Sequence, residues 1–217
     1  MNLPSSPSSA EAPADGGIAV VDYGGGNLGS LVSALERRGA EFCVTADADV
    51  VARAQASILP GDGAFGATMD ALRARGLDRA IRAVIEAGRP FLGICVGMQI
   101  LYERSNEHGD FEGLGIFPGS VTRFVAAPRV PHMGWNELEI VRAHPFVANL
   151  PPRAYAYFLH SYRAPVDAAT VAAATHGERF AAIEARDNVM ATQFHPEKSQ
   201  ATGAVLLDNF IAICNAA

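Results

Sequence analysis

Phe91-Leu92-Gly93-Ile94-Cys95-Val96-Gly97-Met98-Gln99 reads as a buried strand, a sharp turn and the start of a helix. The apolar run Phe91–Ile94 supplies the strand. Gly93 and Gly97 keep Cβ atoms out of a turn where neighbouring backbones crowd. The turn projects Cys95 from the carboxyl end of the strand, where open α/β sheets place their sites. Cys95 also stands at the mouth of the helix beginning near Val96. There the dipole and unpaired N–H groups favour thiolate, the nucleophilic form. Most cysteines are small buried residues; glycines on both flanks set this one apart. Cys43, in a strand, and Cys214, late in a helix, read as core.

Working outward, Ile18–Asp22, Phe42–Thr45 and Ser57–Leu59 are short apolar runs consistent with buried strands. Between and after them, Asn27–Arg38 and Leu77–Ala87 carry helical spacing, closed by Gly39 and Gly88. Strands alternating with helices at this pace point to parallel βαβ units. The second half changes character. Val121–Val125, Trp135–Val141, Tyr155–Tyr162, Val171–Ala174, Ala181–Ala185 and Val189–Phe194 read as strands in quick succession, which favours antiparallel pairing. A last helix runs from about Ala201 to Asn215. The expectation is one α/β domain over residues 17–217: a mostly parallel central sheet flanked by helices, with antiparallel strands added. Residues 1–16, small and polar, read as a disordered extension with neither the cationic start nor the apolar stretch of a secretory signal.

The composition narrows the classes. The chain has 217 residues, 49% apolar and 18% charged, with a net charge of −6. That suits a single globular domain and lacks the basic footprint of a nucleic-acid binder. No apolar stretch is long enough to span a bilayer. Three widely spaced cysteines make neither a disulfide framework nor a Cys-x-x-Cys pair, which fits the reducing cytoplasm.

A cysteine nucleophile needs a base, and the base needs an orienting partner. Gln193-Phe-His-Pro-Glu-Lys198 supplies both. His195 leaves the sheet at the same end as Cys95, and Glu197, two residues on in extended chain, points to the same side. A zinc deaminase also uses His-x-Glu but needs a downstream Pro-Cys-x-x-Cys, which is absent. Pro60-Gly-Asp-Gly-Ala-Phe-Gly66 follows the third strand, beside the elbow. Its Gly61–Gly63 backbone and the N–H of Val96 are positioned to receive an oxyanion. A competing reading lies in Gly24, Gly26 and Gly29, which match the dinucleotide fingerprint, with Asp47 near the place of a ribose-binding acid. That reading makes the chain a dinucleotide-binding oxidoreductase, and it leaves the elbow and His195 unexplained.

Together these residues resemble the class I glutamine amidotransferases. The likeness is carried by Val21-Asp-Tyr-Gly-Gly-Gly-Asn-Leu28, Leu59–Gly66, Gly93–Gln99, Val130-Pro-His-Met-Gly-Trp-Asn136, Tyr157-Phe-Leu-His-Ser-Tyr162 and Gln193–Ser199. It implies glutamine hydrolysis by a Cys95–His195–Glu197 triad through a γ-glutamyl thioester, with no cofactor and no metal. Gln99, Ser161 and Tyr162 match glutamine-binding positions; Gly61, Asp62, Gly63 and Val96 match the oxyanion hole. It further implies ammonia transfer to a separate cyclase subunit with a (β/α)₈-barrel fold, whose occupancy controls hydrolysis. Asn27, Pro131, His132, Met133, Gly134, Trp135, Asn136 and Lys198 match positions facing that partner. A different ammonia-channelling synthase is the alternative within the family. Tyr155 and Tyr157 alternate on one face and read as core or channel wall. One departure stands out: Asp62 occupies a place where the family often has valine. Its carboxylate would oppose an oxyanion, so it is expected to point away, toward solvent or a cation.

Overall fold

A computed structural model describes residues 17–26 and 28–217. The extension expected over residues 1–16, and Asn27, lie outside the described residues. In chain order the elements are β1 (Ile18–Val21), α1 (Leu28–Glu36), β2 (Phe42–Thr45), α2 (Ala48–Arg53), β3 (Ala56–Leu59), α3 (Phe65–Ala74) and α4 (Leu77–Glu86). Then come β4 (Phe91–Ile94), α5 (Val96–Gln99), β5 (Tyr102–Ser105), β6 (Phe111–Glu112), β7 (Phe117–Arg123), β8 (His132–Glu137) and β9 (Glu139–Ile140). The chain closes with β10 (Tyr155–His160), β11 (Tyr162–Arg163), β12 (Thr170–His176), β13 (Glu178–Arg186), β14 (Val189–Thr192) and α6 (Gln200–Ala216).

Eight strands form the central sheet in the order β2-β1-β3-β4-β14-β13-β12-β9. The first five are parallel and the rest antiparallel. β1, β3, β4 and β14 are buried at every position, as expected of strands covered on both faces. Alternate side chains feed two cores: Ile18 and Val20 pack into one, Ala19 and Val21 into the other. Each fully buried Val, Leu, Ile or Phe contributes about 2 kcal/mol. α4 shows why its stretch is helical, burying Leu77, Ala80, Ile81 and Val84 along a single stripe.

The decisive topological step is the late strand β14, which inserts beside β4 in parallel, Thr192 opposite Ile94. The carboxyl ends of β3, β4 and β14 therefore emerge side by side, and all three candidate catalytic segments follow directly from them.

Several boundaries differ from the sequence reading. The strand expected over Trp135–Val141 is two strands, β8 and β9, which break at buried Leu138 and pair in different sheets. The one expected over Tyr155–Tyr162 likewise divides at Ser161: β10 pairs with β8, and β11 joins β7. The structure also adds α2, α3, β5 and β6.

Glu184 on β13 is a buried carboxyl whose Oε1 accepts from the Thr170 hydroxyl at 2.7 Å. Burial raises its pKa; the Thr170 bond counters this and the Asp167 charge adds to it, leaving it at about 8 against the ordinary 4.5. A carboxyl raised in the folded state stabilises the fold fully below its unfolded pKa. That contribution is lost as pH climbs to the folded value. Stability should therefore fall by about 1.4 kcal/mol per pH unit between those two values. Glu184→Gln should flatten this dependence in urea melts from pH 5 to 9; an unchanged slope would contradict the assignment.

Candidate active site

Cys95 sits between β4 and α5 with φ 56° and ψ −111°, a region that an L-residue occupies only when its surroundings impose it. The surroundings are rigid. Its N–H donates to the Thr192 carbonyl at 2.7 Å. A Cβ on Gly93 would lie 2.5 Å from the Gly97 carbonyl oxygen, and one on Gly97 would lie 2.2 Å from that of Leu59. Both flanking glycines are thus required by close approach. The helix behind the sulfur is short, a four-residue turn.

His195 reaches the same point from the neighbouring strand, and its Nδ1 lies 2.8 Å from Glu197 Oε1. The pairing arises differently from the expected extended chain. β14 ends at Thr192, and Pro196–Lys198 form a 3₁₀ turn that folds Glu197 back under the ring. Ser199 steadies the segment: its hydroxyl donates to the His195 carbonyl at 2.7 Å and accepts from the Tyr157 N–H at 3.0 Å. Burial alone would lower the His195 pKa. Hydrogen bonds to Cys95 and Glu197, reinforced by their charges, overcome this and push it up to about 10. The ring is therefore an imidazolium at neutral pH, held between sulfur and carboxylate.

The loop after β3 lies across the elbow. A Cβ on Gly61 would fall 2.1 Å from Val96 Cγ1, so the loop backbone sits directly on the residue following the sulfur. The Tyr23 hydroxyl donates to the Asp62 carbonyl at 3.3 Å, and Glu107 accepts the Phe65 N–H at 2.7 Å where the loop enters α3. Of the two directions expected for Asp62, solvent or a cation, it takes the cation. The Asp62 carboxylate turns inward, with Oδ1 3.7 Å from His195 Nε2. Attraction to the imidazolium accounts for that direction.

The glycine run after β1 has a structural use. Gly24 and Gly26 adopt positive φ, and Gly26 closes against Gly61 and Asp62 behind the loop. Gly29 is the second residue of α1. Asp47 caps α2, accepting from the Asp49 and Val50 N–H groups. Its carboxylate is thereby committed to the helix.

A cavity of about 170 Å³ opens over the sulfur, lined by Asp62, Gly63, Cys95, Val96, Gln99, Ser161 and Tyr162, together with Glu107, Leu159 and His160. The expected glutamine-binding residues are thus gathered at one place. The sequence reading did not single out His160. Its Nδ1 lies 2.7 Å from the Tyr162 carbonyl and so must donate, which leaves Nε2 to accept from His132 Nδ1 at 3.2 Å. Burial outweighs the Tyr162 bond and lowers the His160 pKa to about 3, so the ring is neutral.

β8 and β10 present an apolar face next to the cavity. Met133, Trp135, Tyr155 and Leu159 are 63%, 48%, 37% and 39% exposed. Trp135 stands opposite Tyr157, and Met133 opposite Leu159. Tyr155 and Tyr157 share this outer face, Tyr155 exposed and Tyr157 half-buried, so of the two expected places, core or channel wall, neither lies in the core. His132 is turned the other way: it is buried, stacked between His176 and Phe158. Its ring cannot meet a partner directly. Asn136 donates to the Thr175 carbonyl, and Lys198 is half-buried beside the catalytic turn.

The family model described as "Glutamine amidotransferase class-I" matches residues 19–214. A Synechococcus sp. (strain JA-2-3B'a(2-13)) protein described as "Imidazole glycerol phosphate synthase subunit HisH" is 50% identical over 201 residues, covering 89% of this chain and 91% of that protein. A Geobacter sulfurreducens protein of the same description is 48% identical over 202 residues, covering 89% and 97%. Among solved structures, PurLQS from Thermotoga maritima shares the fold. Its TM-score is 0.67 at 19% identity, over 90% of this chain and 97% of that one.

Proposed function

The chain belongs to the class I glutamine amidotransferase family, and from that premise we propose how it works as the glutaminase subunit of imidazole glycerol phosphate synthase. It is a glutamine amidotransferase. Cys95 is the nucleophile, His195 its acid and base, and Glu197 the group that fixes the imidazole. The observation that carries this reading is the sulfur on its positive-φ turn in the cavity lining, beside an imidazole that is hydrogen-bonded to the Glu197 carboxylate.

The Cys95 sulfur attacks the side-chain amide carbon of glutamine, and negative charge develops on the carbonyl oxygen. N–H donors of Val96 and the Gly61–Gly63 segment receive that charge. His195 gives its proton to the nitrogen as the C–N bond breaks, so ammonia leaves and a γ-glutamyl thioester remains. Water then loses a proton to His195 as it attacks, and glutamate departs as the S–C bond breaks. Glu197 holds the ring in the orientation both transfers need. Gln99, Ser161 and Tyr162 bound the pocket for the substrate.

The ammonia is consumed by a cyclase partner with a (β/α)₈-barrel fold. That partner acts on a phosphoribulosyl-formimino aminoimidazole carboxamide ribonucleotide and yields imidazole glycerol phosphate and an aminoimidazole carboxamide ribonucleotide, a step of histidine biosynthesis. The exposed Met133, Trp135, Tyr155 and Leu159 face is the docking surface, because Leu159 belongs both to it and to the cavity rim. Pro131, Gly134, Asn136 and Lys198 border it, and Asn27 is assigned to it from the motif. No helix among the described residues is long and apolar enough to cross a membrane. Three free cysteines, all buried, support placing the enzyme in the reducing cytoplasm.

The test is the glutaminase rate of the full chain, measured alone, with the cyclase, and with the cyclase plus its nucleotide ligand. Hydrolysis should be slow alone and rise strongly with both. Equal rates in all three conditions would sink the coupled-subunit reading.

A further inference from the structure

We propose that Gln193 is a further catalytic residue, whose side-chain amide donates a hydrogen bond to the Cys95 sulfur in an orientation dictated by Gln99. The inference rests on Cys95 being the nucleophile. Gln193 Nε2 lies 3.9 Å from Cys95 Sγ, Gln99 Nε2 lies 3.1 Å from Gln193 Oε1, and the same Gln99 nitrogen lies 3.1 Å from the Tyr162 carbonyl oxygen.

An amide's nitrogen and oxygen are alike in shape, so its direction must be read from its partners. Here the reading has a fixed starting point. A backbone carbonyl only accepts, so the end of Gln99 facing Tyr162 must be nitrogen. That nitrogen also faces Gln193, whose near end must then be oxygen. The far end of Gln193, the one against the sulfur, is left as the N–H₂ donor. His160 donates to the same Tyr162 carbonyl, which fixes that oxygen as an acceptor a second time. Gln193 itself is buried, and its backbone N–H donates to the Ala182 carbonyl at 2.9 Å. Neither its main chain nor its amide is free to turn.

Such a donor is useful whenever the sulfur carries negative charge: before attack, and again when the thioester breaks and the thiolate leaves. An amide adds no charge of its own, so it does not compete with His195 for the sulfur. Two groups thus converge on Sγ, a cation that exchanges protons and a neutral donor that does not. The family motif brings the second within reach automatically, because Gln193 and His195 are two residues apart on the segment leaving β14.

The experiment is the pH dependence of Cys95 alkylation by iodoacetamide in the full chain, read on the Cys95 peptide by mass spectrometry. The other ionisable groups near the sulfur are His195, Glu197, Asp62, Tyr23, Glu107, His160 and Tyr162, and all are retained in the variants. Gln193→Leu removes the donor and should move the alkylation midpoint up by about one pH unit. Gln193→Glu, which sets a carboxylate against the sulfur, should move it further. In complex with the cyclase, Gln193→Leu should lower kcat about tenfold with KM little changed. Native midpoints in both variants would overturn the proposal. Should Gln193→Leu fail to fold, Gln99→Met frees the Gln193 amide to turn and should shift the midpoint in the same direction; no shift there overturns the proposal equally. A native chain that hydrolyses glutamine fully after complete Cys95 alkylation would instead overturn the nucleophile assignment.

Discussion

Cys95→Ala abolishes glutamine-dependent synthesis, lowering it by about a thousandfold or more, while the complex with its cyclase still makes product from added ammonium salt. Both halves of this expected result follow from placement. In the proposed mechanism the sulfur forms the thioester, and no other described cysteine reaches the cavity: Cys43 sits in β2 and Cys214 near the end of α6, both buried in the cores. Alanine meets the same backbone strain at φ 56° that cysteine already bears, so the elbow survives. The apolar face on β8 and β10 lies on a separate pair of strands, so the proposed docking surface is untouched. A second readout comes from His195. Its pKa is held at about 10 against the lowering effect of burial, partly by the hydrogen bond and charge of Cys95. Without the sulfur that pKa should fall, visible as an earlier imidazole transition in an NMR titration. Loss of ammonium-dependent synthesis together with glutamine-dependent synthesis would mean that Cys95 supports assembly rather than chemistry.

The sequence shows the catalytic centre more fully than it shows the architecture around it. Phe91–Ile94 and Ile18–Val21 stand out because both faces of their strands are covered, which forces unbroken apolar runs. The elbow stands out because Gly93 and Gly97 have no other reason to bracket a cysteine. α3 is hidden by its neighbour: Phe65, Met69 and Leu72 make a helical stripe, but it begins inside the glycine loop and reads as its continuation. β5 is hidden because Tyr102-Glu-Arg-Ser105 follows α5 almost directly and buries only its two ends.

The position of β14 beside β4 has no local signature whatever, since strand pairing between residues almost a hundred apart depends on the whole sheet. Yet that pairing brings His195 to Cys95. Hydrogen-bond direction is equally invisible in sequence. Gln99 reads as a substrate contact from its motif. Only coordinates reveal that its N–H₂ group is divided between the Tyr162 carbonyl and Gln193. His132 is the opposite failure: a motif places it with exposed Met133 and Trp135, but strand alternation turns it inward.

Asp62→Asn raises the basal glutaminase rate of the isolated chain by about tenfold to a hundredfold and leaves the fully activated rate nearly unchanged, so the ratio between them shrinks. The reason is a conflict of charge. In the structure the Asp62 carboxylate faces the His195 cation, 3.7 Å from Nε2. A tetrahedral intermediate would place a second negative charge at the same loop. Two like charges about 4 Å apart at a protein surface repel by about 4 kcal/mol. Because Asp62 is 44% exposed, solvent screening reduces that to roughly 1.5–3 kcal/mol, which corresponds to the stated range of rates. The carboxylate must therefore swing out before acylation, and the Tyr23 hydroxyl, which holds the Asp62 carbonyl from behind, resists that movement. If the cyclase docks on the neighbouring apolar face as proposed, that docking is what supplies the energy to move the loop. Asparagine keeps the shape and removes the repulsion, so it should give the isolated chain part of what docking otherwise provides. Basal and activated rates both equal to those of the native chain would show that Asp62 has no part in restraining the reaction.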